Sequence, residues 1–402
     1  MAFNRTRTED KAVPRSCMVV FISRKRILCS VALLSSLSGL FFVLDWWHSR
    51  SLTAFNRAIG AVERGDLSQA QADIALLENT SGNEQYVDCL RGAVLLRGGR
   101  FPEALRYFSR TRPEGKIRST VLLLTGQCLY HLGRLVEAEW VLSQVAAEAS
   151  PNAEAHRWLG IVCHDLGAMD GAISALEAAL RANSADWQSH GLLAQIYFDV
   201  EQYAQAAEHY RHMLARHADP TASQRLAVSL VRLQRFRDAL DVLEQGVRSV
   251  EALVLKAECH LALNDPIRAG QLLEEARSVD ADAHPVLLLS ARMSLEAKKP
   301  EAATEFLRQA LVRDPHELQT RYQLALCYRD RGLLDEYAEE MTRLEMSRKL
   351  HEQYTELSRQ ARQRPSDSQV RDELCEVALQ LGKPEIARLW KRAADSFRRI
   401  SD

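Results

Sequence analysis

The chain has 402 residues, 47% hydrophobic and 26% charged, with 18 glycines, 11 prolines and 8 scattered cysteines. These proportions exclude a wholly disordered, collagen-like or low-complexity chain and a small disulfide scaffold, and the wealth of Ala, Leu, Arg and Glu points to an all-α protein. The formal net charge is -1, yet the first 26 residues hold seven basic and two acidic side chains while the body is acidic without any basic stripe, so nucleic-acid binding has no electrostatic support.

In chain order, residues 1–26 read as a basic cytoplasmic tail and 27–47 as a transmembrane signal anchor. Ile27–Leu44 carries no charge, and its 18 residues make about 27 Å of helix, near the lower limit for a hydrocarbon core. Arg24, Lys25 and Arg26 flank the near end, and Trp46 and Trp47 stand where an aromatic belt anchors the far one. No small-x-small cleavage site follows Leu44, which disfavours a removed signal peptide. The expectation is a single-pass inner or plasma membrane protein touching the lipid bilayer through 27–47. Its N-terminus is cytoplasmic, and its body lies on the periplasmic or other extracytoplasmic side.

From residue 51 onward the chain repeats. Gly92, Gly126 and Gly160 are 34 residues apart, as are Gly65, Gly99, Gly133 and Gly167 at the turns between two helices. Five residues beyond each turn glycine comes Ala70, Ala104, Ala138 or Ala172, and the series runs on through Ala206, Ala239, Ala269, Ala303 and Ala387, with Tyr337 as the exception. Small residues at such spacing let two helix backbones cross closely, and each pair leaves an apolar face that the next pair covers. Repeats are expected at 51–84, 85–118, 119–152, 153–186, 187–219, 220–249, 250–283, 284–317 and 318–351, nine over 51–351, with a terminal one at 368–401.

The pattern resembles the tetratricopeptide repeat family, most closely in Leu159, Gly160, Gly167, Ala172, Leu176 and Ala179. The resemblance implies a solenoid, a right-handed superhelix of antiparallel helix pairs preceded here by one transmembrane helix. It also implies that the first helices line a concave surface that takes a protein or peptide ligand. By position that surface carries Gln127, Tyr130, His131, Arg157, Ile161, His164, Asp165, Gln195, Phe198 and Asp199. Farther along it carries Gln224, Arg232, Glu258, Arg292, Glu296, Tyr322, Arg329 and Asp330. The repeated Lys and Arg clamp of relatives that bind chaperone tails is missing.

Sixteen residues beyond the 34-residue rhythm separate the ninth repeat from the last. Met341, Leu344, Leu350, Tyr354, Leu357 and Ala361 recur at helical steps, which predicts one helix over 335–362, overlapping the ninth repeat, in preference to two helices with a weak turn. The last repeat is expected to bury part of this strip and a partner or second copy the remainder, which puts Tyr354 and Leu357 among the protein-binding residues and allows self-association.

No phosphate loop, HExxH, GxSxG or CxxC occurs, so no catalytic residue, cofactor or metal is expected. His190, His209, His212 and His217 are a weak metal lead with no third ligand in evidence. Cys128, Cys163, Cys259, Cys327 and Cys375 fall where a small hydrophobe belongs, and read as buried free thiols. The leading expectation is a membrane-tethered scaffold or complex-assembly factor. Alternatives are an accessory factor of a cell-envelope enzyme system, such as polysaccharide export or cytochrome maturation, and an independent metal-dependent enzyme.

Overall fold

The computed structural model describes residues 49–401, apart from 113, 149–151 and 365. The tail and anchor expected at 1–26 and 27–47 lie outside the described residues. Among the described residues no helix is long and apolar enough to cross a membrane.

The chain divides into two units, Met1–Leu90 and Arg91–Asp402. In the first, helix α1 (49–64) and helix α2 (Leu67–Glu78) are joined through Arg57, whose Nε donates to both carboxylate oxygens of the buried Asp73 at 3.1 and 2.9 Å. Phe55 packs on Tyr86 with ring centroids 5.2 Å apart. Helix α3 (Glu84–Arg97) carries the chain across the boundary.

The second unit is a succession of helix pairs. After α4 (Phe101–Arg110) come α5 (Arg118–His131) with α6 (Leu135–Ala146), α7 (Ala153–Asp165) with α8 (Met169–Ala182), and α9 (Trp187–Asp199) with α10 (Tyr203–Leu214). Then follow α11 (Pro220–Arg232) with α12 (Phe236–Gln245), α13 (Val250–Ala262) with α14 (Pro266–Val279), and α15 (His284–Glu296) with α16 (Pro300–Arg313). Last are α17 (Leu318–Asp330) with α18 (Leu334–Gln363) and α19 (Ser368–Gln380) with α20 (Pro384–Ser401). Each helix packs chiefly on its neighbours in sequence, as an all-α solenoid of antiparallel pairs requires.

Local chemistry starts these helices. Asn152, Asp219, Ser249, Asp265 and Asp367 cap first-turn amides, and Pro220, Pro266, Pro300 and Pro384 occupy the first helical position, where no amide donor is needed. The crossings follow from small residues. A Cβ on Gly160 would come within 2.6 Å of Leu176 Cγ and 3.3 Å of the Ala172 carbonyl oxygen, so α7 and α8 meet there at a distance that only glycine permits. Gly126 meets Leu142 and Gly92 meets Phe108 in the same way, each at 2.5 Å.

Helix α18 runs 30 residues without a break. Its first half packs on α17, where the buried Glu340 pairs with Arg321; its second half packs on α19. Leu357 and Ala361 join Val370, Leu374, Val377 and Leu381 in one core, with Leu350, Tyr354 and Trp390 against it. This places Leu357, assigned to a partner, inside the chain's own core and leaves Tyr354 half-buried against it. The terminal pair covers the strip from within, because burying a side chain such as leucine gains about 1.5–3 kcal/mol and a helix pair of the same chain stands beside it.

Candidate functional site

The expected ligand-facing residues are carried by the first helices of successive pairs, and the structure sorts them into three environments. The first is formed by α5 and α7. Tyr130 Oη donates to Asp165 Oδ2 at 2.9 Å, and His164 Nδ1 lies 3.3 Å from Asp165 Oδ1. Trp158 meets the edge of Tyr130 at 5.5 Å between centroids, and His131 stacks on Phe101 at 4.6 Å. Burial raises the Tyr130 hydroxyl above its usual range, with Asp165 adding to it; burial followed by the nearby Arg392 lowers His131. Arg157 is tied to Asp186 at 2.8 Å and Gln127 to Glu154 at 3.0 Å, so both brace neighbouring pairs rather than standing free.

This part of the face is covered by the chain's own end. Arg392 of α20 donates through Nη1 to Asp165 Oδ2 at 3.1 Å and through Nη2 to the Tyr130 carbonyl at 2.7 Å, with its guanidinium 4.5 Å over the Tyr130 ring. Sequence reasoning missed Arg392, Trp390, Arg371 and Trp158. The signal available was the 18-residue length of the last helix and the spacing of Trp390 and Phe397 along it.

The second environment is open. Arg232 on α11, Glu258 on α13 and Arg292 on α15, far apart in sequence, line one cavity of about 410 Å³ whose walls are Val228, Val231, Phe236, Leu255 and Ala262. Burial among these apolar groups raises the Glu258 carboxyl above the usual range, against the opposing pull of Arg292 and Arg232. Arg292 bonds Glu296 at 3.1 Å, and Arg232 is exposed. A half-buried carboxylate and two exposed guanidinium groups around an apolar floor offer both donors and an acceptor beside a place for an apolar side chain.

Elsewhere the expected residues do not converge. Phe198 packs edge-on against Tyr203 and Tyr210 at 5.8 and 6.5 Å, with the Arg225 guanidinium 5.7 Å over its ring, while Gln195 and Asp199 are exposed. Ile161 is half-buried, and Gln224 lines a smaller cavity of about 130 Å³ beside Gly246. Tyr322 is 46% exposed, and Arg329 pairs with the adjacent Asp330 at 3.0 Å.

The histidines gather without forming a metal centre. His190 Nε2 lies 3.3 Å from the Ser184 carbonyl, which can only accept, so His190 Nδ1 is the acceptor for His209 Nδ1–H at 2.9 Å. His212 stacks on the His190 ring at 4.7 Å and His217 on Trp187 at 4.1 Å. Among the described residues no three His, Cys, Asp or Glu side chains are placed to hold a metal ion. Cys89, Cys128, Cys163, Cys259 and Cys327 are buried free thiols and Cys375 a half-buried one, and burial pushes Cys163 and Cys259 up to about 12.

Two family models match the chain, both described as tetratricopeptide repeat, over residues 144–358 and 89–152. Among solved structures, a tetratricopeptide repeat protein from Parabacteroides merdae is 14% identical, covering 61% of this chain and 99% of that one at a TM-score of 0.41. The C-terminal part of a repeat-containing protein from Cytophaga hutchinsonii is 15% identical, covering 58% and 98% at 0.44. A MamA structure is 19% identical, covering 44% and 93% at 0.37. Comparison with curated proteins gives no match.

Proposed function

The chain belongs to the tetratricopeptide repeat family, and from that premise we propose that it is a protein-binding scaffold, tethered to a membrane through residues 27–47, that holds a polypeptide on its first-helix face. Solenoids of this family serve as binding scaffolds, and this chain is read as one of them in preference to an enzyme. The observation that carries the binding reading is the cavity of Arg232, Glu258 and Arg292. Three consecutive first helices each bring one charged side chain to it, and exposed arginines beside apolar walls are the type of group that anchors protein interfaces. The segment it takes presents an apolar side chain to Val231, Phe236 and Leu255, and hydrogen-bonding groups to the charged rim.

A photoreactive residue in place of Val231 tests this in intact membranes. It should give a discrete crosslinked protein that disappears with Arg232→Glu and Arg292→Glu, at unchanged melting temperature. The same reagent at Val312, which is 79% exposed on α16, should give none. Equal yields from the two positions sink the reading. Protease added outside the membrane should remove residues 51–402; protection of the body would remove the proposed topology alone.

A further inference from the structure

We propose that the terminal pair α19–α20 is a releasable latch that shuts the Tyr130–Asp165 part of the first-helix face, so that a partner reaches that part only by displacing α20. The consequence for a partner rests on the binding reading above; the latch itself rests on geometry within residues 91–402.

The pair returns to helices more than two hundred residues earlier in the chain. Trp390 fills the space beside Gly167, where a Cβ would come within 2.6 Å of its ring. Phe397 packs against the core that includes Leu135 and Leu166. The other attachments are polar. Arg399 donates to the Leu132 carbonyl at 3.3 Å, Arg371 to the Leu166 carbonyl at 3.2 Å, and Ser396 Oγ accepts from the Val136 amide at 3.1 Å. Water can replace each of these polar partners, so the loss on opening falls mainly on the apolar contacts of Trp390 and Phe397.

Arg371 marks the closed state as costly. It is 2% exposed, yet it bonds only the carbonyls of Asp367, at 3.0 Å, and Leu166, with the Phe397 ring 4.5 Å from its guanidinium. Its Nε has no partner. Burial outweighs the pull of the Asp367 carboxylate and lowers the Arg371 guanidinium, so this cation bears a desolvation penalty that hydration on opening relieves. By contrast, α20 is packed extensively on α19 and only sparsely on α6 and α7, and Trp390 Nε1 donates to Tyr354 Oη of α18 at 3.0 Å. The pair therefore leaves as one body carried on the end of α18, without loss of its own core.

The structure also supplies the reporter. The Val136 amide lies in the first turn of α6, where no carbonyl of the same helix can accept it, and Ser396 Oγ is its partner. In the full chain, hydrogen exchange at Val136 should run at least about 10-fold faster than at Leu142 in the interior of α6, because a local opening exposes it. Arg392→Gln should speed Val136 by a further factor of about 10 and leave Leu142 unchanged. Exchange of Val136 in step with Leu142 in the wild type would mean a permanent brace and overturn the latch. That measurement decides the matter even if the variant does not fold. Unchanged exchange at Val136 in the folded Arg392→Gln chain would overturn it too. Absence of crosslinks at position 231, outside the latch, would instead remove the binding reading and leave the latch standing.

Discussion

The early and the middle pairs of the second unit build one backbone from different residues. At the crossing of first and second helix, α5 and α7 use Gly126 and Gly160 against Leu142 and Leu176. The corresponding positions of α9, α11, α13 and α15 hold Ala194, Ala227, Ala257 and Ala291, buried beside Tyr210, Leu243, Leu273 and Leu307. At the inter-helix turn the early pairs place Gly133 and Gly167 at φ of 70° and 77°. The middle pairs force Glu201, Gln234, Asn264 and Lys298 into that same region, at 60°, 60°, 63° and 56°. The early pairs are thus closely crossed with relaxed turns and lie under the terminal pair. The middle pairs have a methyl more at each crossing, strained turns and an open charged cavity. A repeat demands small volume at one position and positive φ at another, and several residues meet each demand at different cost.

The largest expected effect tests the crossing. Gly126→Ala should destabilise by about 1–3 kcal/mol in urea unfolding followed by circular dichroism, because its new methyl meets the buried Leu142. Ala194→Gly in a middle pair should cost only about 0.5–1 kcal/mol, through helix entropy. Equal losses would erase the distinction between the two regions.

The largest acid-dependent effect should come from the middle pairs, because His209 is lowered further than His131 of the early ones. Burial, and then the neighbouring His190, lower His209 to about 4. A histidine depressed below its unfolded value contributes its full stability above about pH 6.5 and loses it as pH falls toward the folded value. Protonation of His190 at Nδ1, the acceptor in that pair, would also set two N–H groups against each other. The melting temperature should therefore decline between pH 6.5 and 4, and His209→Phe should flatten that decline. An identical slope in the variant would assign the acid sensitivity to other groups.

The smallest effect concerns the turns. Lys298→Gly and Glu201→Gly should each stabilise by up to about 1 kcal/mol, since they relieve a left-handed backbone at the expense of a freer unfolded chain. Gly167→Lys should do the reverse, and more strongly, because its side chain would also strike Trp390.

By itself the sequence determined the all-α repeat, and the reason is locality. A crossing such as Gly160 with Leu176, or a turn such as Gly133, involves residues within one repeat, so its demand for small volume or positive φ recurs every 34 residues along the chain. It also singled out Arg232, Glu258 and Arg292, since position within the repeat assigns each to a first helix. Only the tertiary structure decided that these three share one cavity, because that depends on how successive pairs rotate against one another. It alone put Leu357 inside the protein and Tyr354 half-buried beside it, since their spacing marks an apolar strip without saying what covers it. Arg392 reaches Asp165 across 227 positions and Arg371 reaches Leu166 across 205. Such contacts have no period, and an arginine on an amphipathic helix looks the same whether it faces water or a carbonyl two hundred residues away. Their existence depends on the accumulated small rotations of all the pairs between, a quantity that no single stretch of sequence carries.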